Sequence, residues 1–334
     1  MVTINEVAHR AGVSTATVSR VINQSGFVSE ELSIKVINAI KELNFYPNEI
    51  AKSLSTGSTN TIGLILPDIS NPFFASIAKG VENFIWQKGF SLLLCDSNED
   101  RIKQDIYINT LISKKINGLL IVPTMGIHES CKKLLLSSIH CVFVDRYPKG
   151  INVDYIGSDN ISGAYHAVTY LLSKGHKNIA IFLADSNISS SRERFDGYKQ
   201  ALLNANLIIN NSYVIWGCVD SEKSYNRFLN VIRDFPEISA IFCTTNPATI
   251  GILKAMKDLD LSYPEDISIV GFDELPLSDF LDKPITTISQ DSYKLGMKSA
   301  EILVKRILGN HLPPIIREIL EYKFIEGLSV LPKQ

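Results

Sequence analysis

Apolar residues recur along this chain with two rhythms. Between Ile4 and Leu43 they fall three and four apart: Ile4, Val7, Ala8 and Ala11, then Val18, Val21 and Ile22, then Leu32, Val36, Ile37, Ile40 and Leu43. That spacing predicts three short amphipathic helices. Gly12 can take the left-handed conformation that ends the first, Val13 plugs the turn, and Ser14 caps the second. Ser29 is placed to cap the third, with Glu30 and Glu31 in its first turn. From Thr61 the rhythm changes to unbroken apolar runs of strand length: IGLILP, SLLLCD, GLLIVP, CVFVDR, IAIFLA, AIFCTT and SIVGFD. Helix-period stretches separate them, the first setting Phe74, Ile77, Ala78, Val81, Phe84 and Ile85 on one stripe.

Continuous apolar strands alternating with helices predict parallel sheets covered on both faces. The expected fold class is therefore α plus α/β, a three-helix head followed by a two-lobed body with two parallel sheets. The head spans 1–46 and a hinge helix with its linker 47–58. The first lobe spans 59–160 plus 291–323, and the second 161–290 plus 324–334. A helix carrying Leu295, Ala300, Ile302, Leu303 and Ile307 is expected to cross back to the first sheet. No low-complexity tract or short repeat appears.

Composition narrows the function classes. The 334 residues are 45% hydrophobic and 20% charged, with net charge −2, so no global basic field advertises nucleic acid. The first sixty residues set Arg10, Arg20, Lys35, Lys41 and Lys52 against Glu6, Glu30, Glu31, Glu42 and Glu49. Any DNA-binding face must therefore come from sorting charges. There is no secretory leader pattern and no apolar run of membrane length. The five cysteines are odd in number and form no CxxC pair; Cys95, Cys141 and Cys243 lie in apolar runs and read as reduced core thiols. A cytoplasmic protein is expected. GxSxG, HExxH, GxGxxG and P-loop motifs are absent, and the six histidines have no metal spacing, so neither enzyme activity, metal nor cofactor is expected.

Two sets of residues carry chemistry. The second helix exposes Thr15, Ala16, Thr17, Ser19 and Arg20, small hydroxyl groups with one long cation, which can enter a DNA major groove. The plain alternative is a solvated three-helix cap. In open parallel sheets ligands bind beyond the carboxyl ends of strands. Those ends deliver Asn71, Phe73, Phe74, Asp145, Arg146, Asn246, Asp273 and Gln290, with Arg194 in the stretch SSSRERF. Asp, Asn and Arg offer paired polar atoms for vicinal hydroxyls, and an aromatic ring covers the C–H face of a sugar. Two acids and two arginines balance, which suits a neutral ligand. Against this, Asp145–Arg146 could be a surface ion pair, Asn246 and Asp273 could be helix caps, and one of the two phenylalanines could belong to the core.

The string from Thr3 to Asn23, with its core AGVS–TVSRVIN, is similar to the head motif of the lactose/galactose-repressor family of transcriptional regulators. The resemblance continues through FYPNEIAKSL and along the whole chain. It implies a helix-turn-helix head, a homodimer, a near-palindromic double-stranded operator, and a body like the periplasmic sugar-binding proteins that takes a small sugar effector. It adds Asn23 and, in the hinge, Asn48, Lys52 and Leu54 to the DNA-facing set, Leu54 matching the leucine that wedges into the minor groove. Lys52 stands where the family usually has Arg, keeping the charge but losing the planar fork. The strand-end set looks most like ribose sites. Two departures are Pro247, where an Asp usually follows Asn246, and Val219, where an aromatic often closes the cleft. A purine-responsive repressor and a regulator controlled by a phosphoprotein remain alternatives.

Overall fold

A computed structural model describes the chain except for Met1, Gln24, residues 47–58, 125–128, 138, 149 and 277, and Gln334. Asn48, Lys52 and Leu54 thus lie outside the described residues. The chain forms two compact units, divided between Thr59 and Asn60.

The head contains α1 (Ile4–Ala11), α2 (Thr15–Asn23) and α3 (Glu30–Glu42). Thr3 and Glu6 cap α1 reciprocally, each side chain bonding the other's backbone N–H. Gly12 closes α1 at φ 66°, and Ser14 Oγ accepts from Thr17 N at 3.1 Å to start α2. Ser29 sits at the N-cap of α3 but its hydroxyl makes no capping bond. Val7, Val18 and Val36 are fully buried at the centre, joined by Ala8, Ala39 and Phe45. Burial of each valine contributes about 1.5–3 kcal/mol. Ile37, expected inside, is 43% exposed. The stripe that faces α1 runs Val36, Ala39, Ile40, Leu43, and Ile37 lies about 100° around the helix from Val36.

The body holds two six-stranded sheets. The first, in order β11-β5-β4-β3-β1-β2, is parallel throughout. Its strands are β1 (Thr61–Leu66), β2 (Ser91–Asp96), β3 (Gly118–Ile121), β4 (His140–Val144), β5 (Asp154–Ser158) and β11 (Arg317–Leu320). The second, in order β12-β10-β9-β8-β6-β7, comprises β6 (Ile179–Phe182), β7 (Val214–Ile215), β8 (Ala240–Cys243), β9 (Ser268–Phe272), β10 (Thr286–Gln290) and β12 (Tyr322–Ile325). It is parallel except for β12, which runs antiparallel to β10. The chain changes sheet after β5, after β10, and between β11 and β12.

Helices α4 (Pro72–Trp86) and α11 (Ser292–Ile307) cover one face of the first sheet, sharing a core with Leu64, Leu120 and Val142. The other face packs on α5 (Arg101–Ser113) and α6 (Glu129–Leu136), whose Ile108, Leu111 and Leu134 are buried against Ile65, Leu119 and Phe143. The second sheet lies between α7 (Asn160–Ser173) with α8 (Ser189–Asn204) and α9 (Ser221–Asp234) with α10 (Asn246–Asp258). The expectation of strands covered on both faces fails at β2, where Leu93 and Leu94 are exposed. This strand pairs only with β1 and forms the sheet edge. Cys95 and Cys141 are only partly buried, whereas Cys243 is fully enclosed. No helix among the described residues is long and apolar enough to cross a membrane.

Candidate functional site

On the head, α2 exposes Thr15, Ala16, Arg20 and Asn23. Thr17 and Ser19 are half-buried and turned into local bonds, Thr17 Oγ1 to Ser14 Oγ at 2.9 Å and Ser19 Oγ to Asn23 Nδ2 at 3.2 Å. The reading of five freely exposed positions therefore narrows. Nearby cations are partly neutralised: Arg10 pairs with Glu42 at 2.6 Å and Lys35 with Glu31 at 2.7 Å. Arg20 makes no ion pair with any described residue.

In the body, a cleft with a volume of about 280 Å³ opens at the carboxyl ends of the strands. Seven of the nine expected residues line it: Asn71, Phe73, Phe74, Asp145, Arg146, Arg194 and Asp273. Asn71 caps α4, its side chain accepting from Phe73 N at 3.1 Å. Phe73 and Phe74 meet edge to face at 5.2 Å, and both belong to the core and to the cleft wall. Neither one alone is the core residue, because the first turn of α4 sits at the rim.

Asp145 and Asp273 occupy matching places in the two sheets. Asp145 follows β4 and Asp273 follows β9, each with its N–H donated to the next strand, to Ile156 O and Ile288 O at 2.8 Å. Both adopt left-handed backbone, φ 61° and 72°, which a non-glycine residue holds only when its surroundings demand it. Asp145 is buried at 3% exposure beside Arg146, whose Nε lies 3.6 Å away, so the pair is not a surface one. Burial raises the Asp145 carboxyl above its ordinary range against the pull of Arg146 and Arg194. Burial likewise lifts Asp273 to about 6, with Arg194 and the Gln290 amide opposing.

Arg194 is held from several sides. Its Nε donates to Asn160 Oδ1 at 2.9 Å, its Nη1 to Thr244 O, and its guanidinium lies 3.8 Å over the Phe272 ring. Asn160 in turn donates to Glu193 at 2.8 Å, and Tyr147 reaches Glu193 from the first lobe at 2.7 Å. This network fixes the arginine's reach into the cleft.

Two expected residues stand behind the wall. Gln290 donates to Asp273 Oδ1 at 2.7 Å and orients it. Asn246 is 2% exposed and donates to Glu274 O at 3.1 Å, while its neighbours Thr245 and Pro247 line the cleft. The cap of α10 is Thr245, and Asp273 caps no helix but holds Gln290. Val219 lies in the lining as well.

The sequence reading missed Asp68, Asn98, Glu99, Asp220 and Lys223, all in the lining. The strand-end rule would have found Asn98 and Glu99, which follow the SLLLCD strand directly. With them the lining carries five acids (Asp68, Glu99, Asp145, Asp220, Asp273) against three cations (Arg146, Arg194, Lys223), a formal excess of acid. The expected balance of two against two does not hold. A lining with surplus acid disfavours anions. Among the described residues no cluster of His, Cys, Asp and Glu could hold a metal ion.

Comparison with known proteins shows the family of both units. Residues 3–48 match the profile of bacterial regulatory proteins of the lacI family. Residues 59–320 match that of periplasmic binding proteins and the sugar-binding domain of the LacI family. The repressor PurR of Haemophilus influenzae (strain PittEE) is 35% identical over 308 residues, 92% of this chain and 91% of that protein. A complex of the transcriptional regulator CelR with cellobiose superposes with TM-score 0.76 at 27% identity, covering 98% of this chain and 100% of the other. A ribose operon repressor, so assigned in Burkholderia thailandensis, gives TM-score 0.73 at 28% identity over 80% and 98% of the two chains. These relatives are transcriptional regulators and not enzymes. The chain belongs to the LacI family of DNA-binding transcriptional regulators.

Proposed function

We propose that this protein is an operator-binding repressor released by a neutral monosaccharide, ribose or another aldopentose first and a hexose second. One observation carries the reading. Asp145 Oδ1 and Arg146 Nε are buried at the cleft without a hydrogen bond, the Nε having only the ion-pair contact with Asp145 Oδ2 at 3.6 Å. Buried polar atoms are costly to leave unmatched, and a polyol supplies donors and acceptors together. Phe73 and Phe74 offer the apolar wall that a sugar C–H face needs.

In this reading a homodimer sets two copies of α2 into successive major grooves of a near-palindromic operator. The segment 47–58, with Asn48, Lys52 and the wedge Leu54, engages the minor groove between them. The repressor acts in the cytoplasm. Sugar favours closure of the lobes of each body, and operator affinity falls by the differential binding to the two states, typically 1–3 kcal/mol. A purine effector is the second reading, raised by the 35% identity to a repressor whose name points to purines. A nucleobase wants stacking faces from both lobes, and the second lobe presents Val219 and Pro247 instead.

Calorimetry on the full chain with a panel of pentoses, hexoses, hypoxanthine and guanine separates the readings. Arg194→Ala should lose on the order of 2–5 kcal/mol of sugar binding, since Asp145 and Asp273 lose their buried partner. Micromolar binding of a nucleobase with every sugar silent would overturn the sugar reading.

A further inference from the structure

We infer that Glu99 makes this cleft select uncharged over phosphorylated sugars, by occupying one edge of the Arg146 guanidinium. The inference rests on the sugar reading above and goes beyond it, because it names the residue that sets the charge of the accepted ligand.

Glu99 lies in the loop after β2, and its carboxylate meets Arg146 Nη1 at 2.9 Å through Oε1 and 3.1 Å through Oε2. Pro123 O accepts from the same Nη1 at 3.4 Å, and the Phe74 ring lies 5.5 Å from the guanidinium carbon. That edge of the arginine is therefore occupied. The Nε makes no hydrogen bond, its nearest charge being Asp145 Oδ2 at 3.6 Å, so Arg146 still has a donor to offer. The loop is built to bring the carboxylate there. Asn98 and Glu99 both hold left-handed backbone, φ 52° and 53°, and Glu99 N is tied to Pro67 O at 2.8 Å.

A phosphate recognised by arginine takes two parallel N–H bonds from the planar fork. Here one edge of that fork already carries an anion, and a phosphomonoester bringing about −1.5 to −2 charges would lie against it. A hydroxyl faces no such conflict, since it can donate to a carboxylate and accept from Nε at once. Glu99 thus leaves Arg146 useful to a polyol and unfavourable to a dianion.

The test is calorimetry on the full chain with D-ribose and D-ribose 5-phosphate. Wild type should bind ribose and discriminate against the phosphate. Glu99→Gln keeps the shape and removes the charge; the ratio of ribose 5-phosphate affinity to ribose affinity should rise at least about tenfold. Glu99→Asp should retain the wild-type preference. Asp68→Asn removes the same charge from a lining residue with no bond to Arg146, and its gain for the phosphate should be smaller. An unchanged preference in Glu99→Gln, or an equal gain in Asp68→Asn, overturns the role of Glu99 while ribose binding leaves the sugar reading standing. If ribose is silent in wild type, the pentose or hexose that does bind and its phosphate take their place in the same comparison; silence of every sugar overturns both.

Discussion

Asp273 and Arg194 illustrate how a binding site is kept ready at the expense of stability. Burial lifts Asp273 from the ordinary 3.8 to about 6. Between those values the folded chain holds a proton that the unfolded chain has released, so its contribution falls as pH rises from about 4 to about 6 and is level outside that window. Asp273→Asn should remove this share of the slope and stabilise the unliganded protein at pH 7 by on the order of 1–3 kcal/mol. Urea midpoints at pH 4.5 and 7 measure it; an unaltered pH dependence would mean that the carboxylate is solvated. On the sugar reading the same carboxylate gains a hydrogen-bond donor from the ligand, so the variant should be stabler and bind worse. Arg194 is opposite in charge but alike in logic, since burial pulls its pKa below the ordinary value while Asp273 and Asp145 oppose.

Among the elements, α4 and α11 approach until only glycine fits between them. A Cβ on Gly80 would stand 2.1 Å from Tyr293 O, and one on Gly296 would stand 2.1 Å from Ile77 O. Alanine in a helix ordinarily gains about 0.5–1 kcal/mol over glycine. Here the overlap is with backbone, which cannot rotate aside, and overpacking of this kind costs about 1–3 kcal/mol or more. Gly80→Ala and Gly296→Ala should each lower the thermal midpoint of the body. A variant at least as stable as wild type would show that the two helices can separate freely. The close crossing bears on function because α4 carries Asn71, Phe73 and Phe74 at its first turn, and α11 begins directly after Gln290 and Asp291.

At the scale of the whole molecule, head and body are separate compact units. Their activities should therefore be separable by mutation. Arg20→Ala, on the exposed face of α2, should cost on the order of 1–3 kcal/mol on operator DNA and leave the heat of ribose binding unchanged. Gel shift and calorimetry on the same preparation measure the two. Retention of full specific DNA affinity would move the recognition surface away from α2.

Much of this architecture is legible in the sequence because it depends on local periodicity. Apolar spacing of three and four marks the head helices, and unbroken strand-length runs mark the central parallel strands, since burial on both faces leaves no polar alternation. Mixed or peripheral strands escape that signal: β5 (DYIGS), β11 (REIL) and β12 (YKFI) carry polar residues among their apolar ones, β7 has only two residues, and β2 reads as buried although it ends its sheet. Strand ends announce Asp145, Arg146 and Asp273, because any parallel sheet brings those ends together. Tertiary structure alone decides how each is held. Asn160 is remote from Arg194 in sequence, and Glu99 is remote from Arg146, yet each fixes its arginine through bonds that only the folded sheets create. Composition counts charges, but only the fold selects which five acids and three cations face one cavity, and so the sign of the field that a ligand meets.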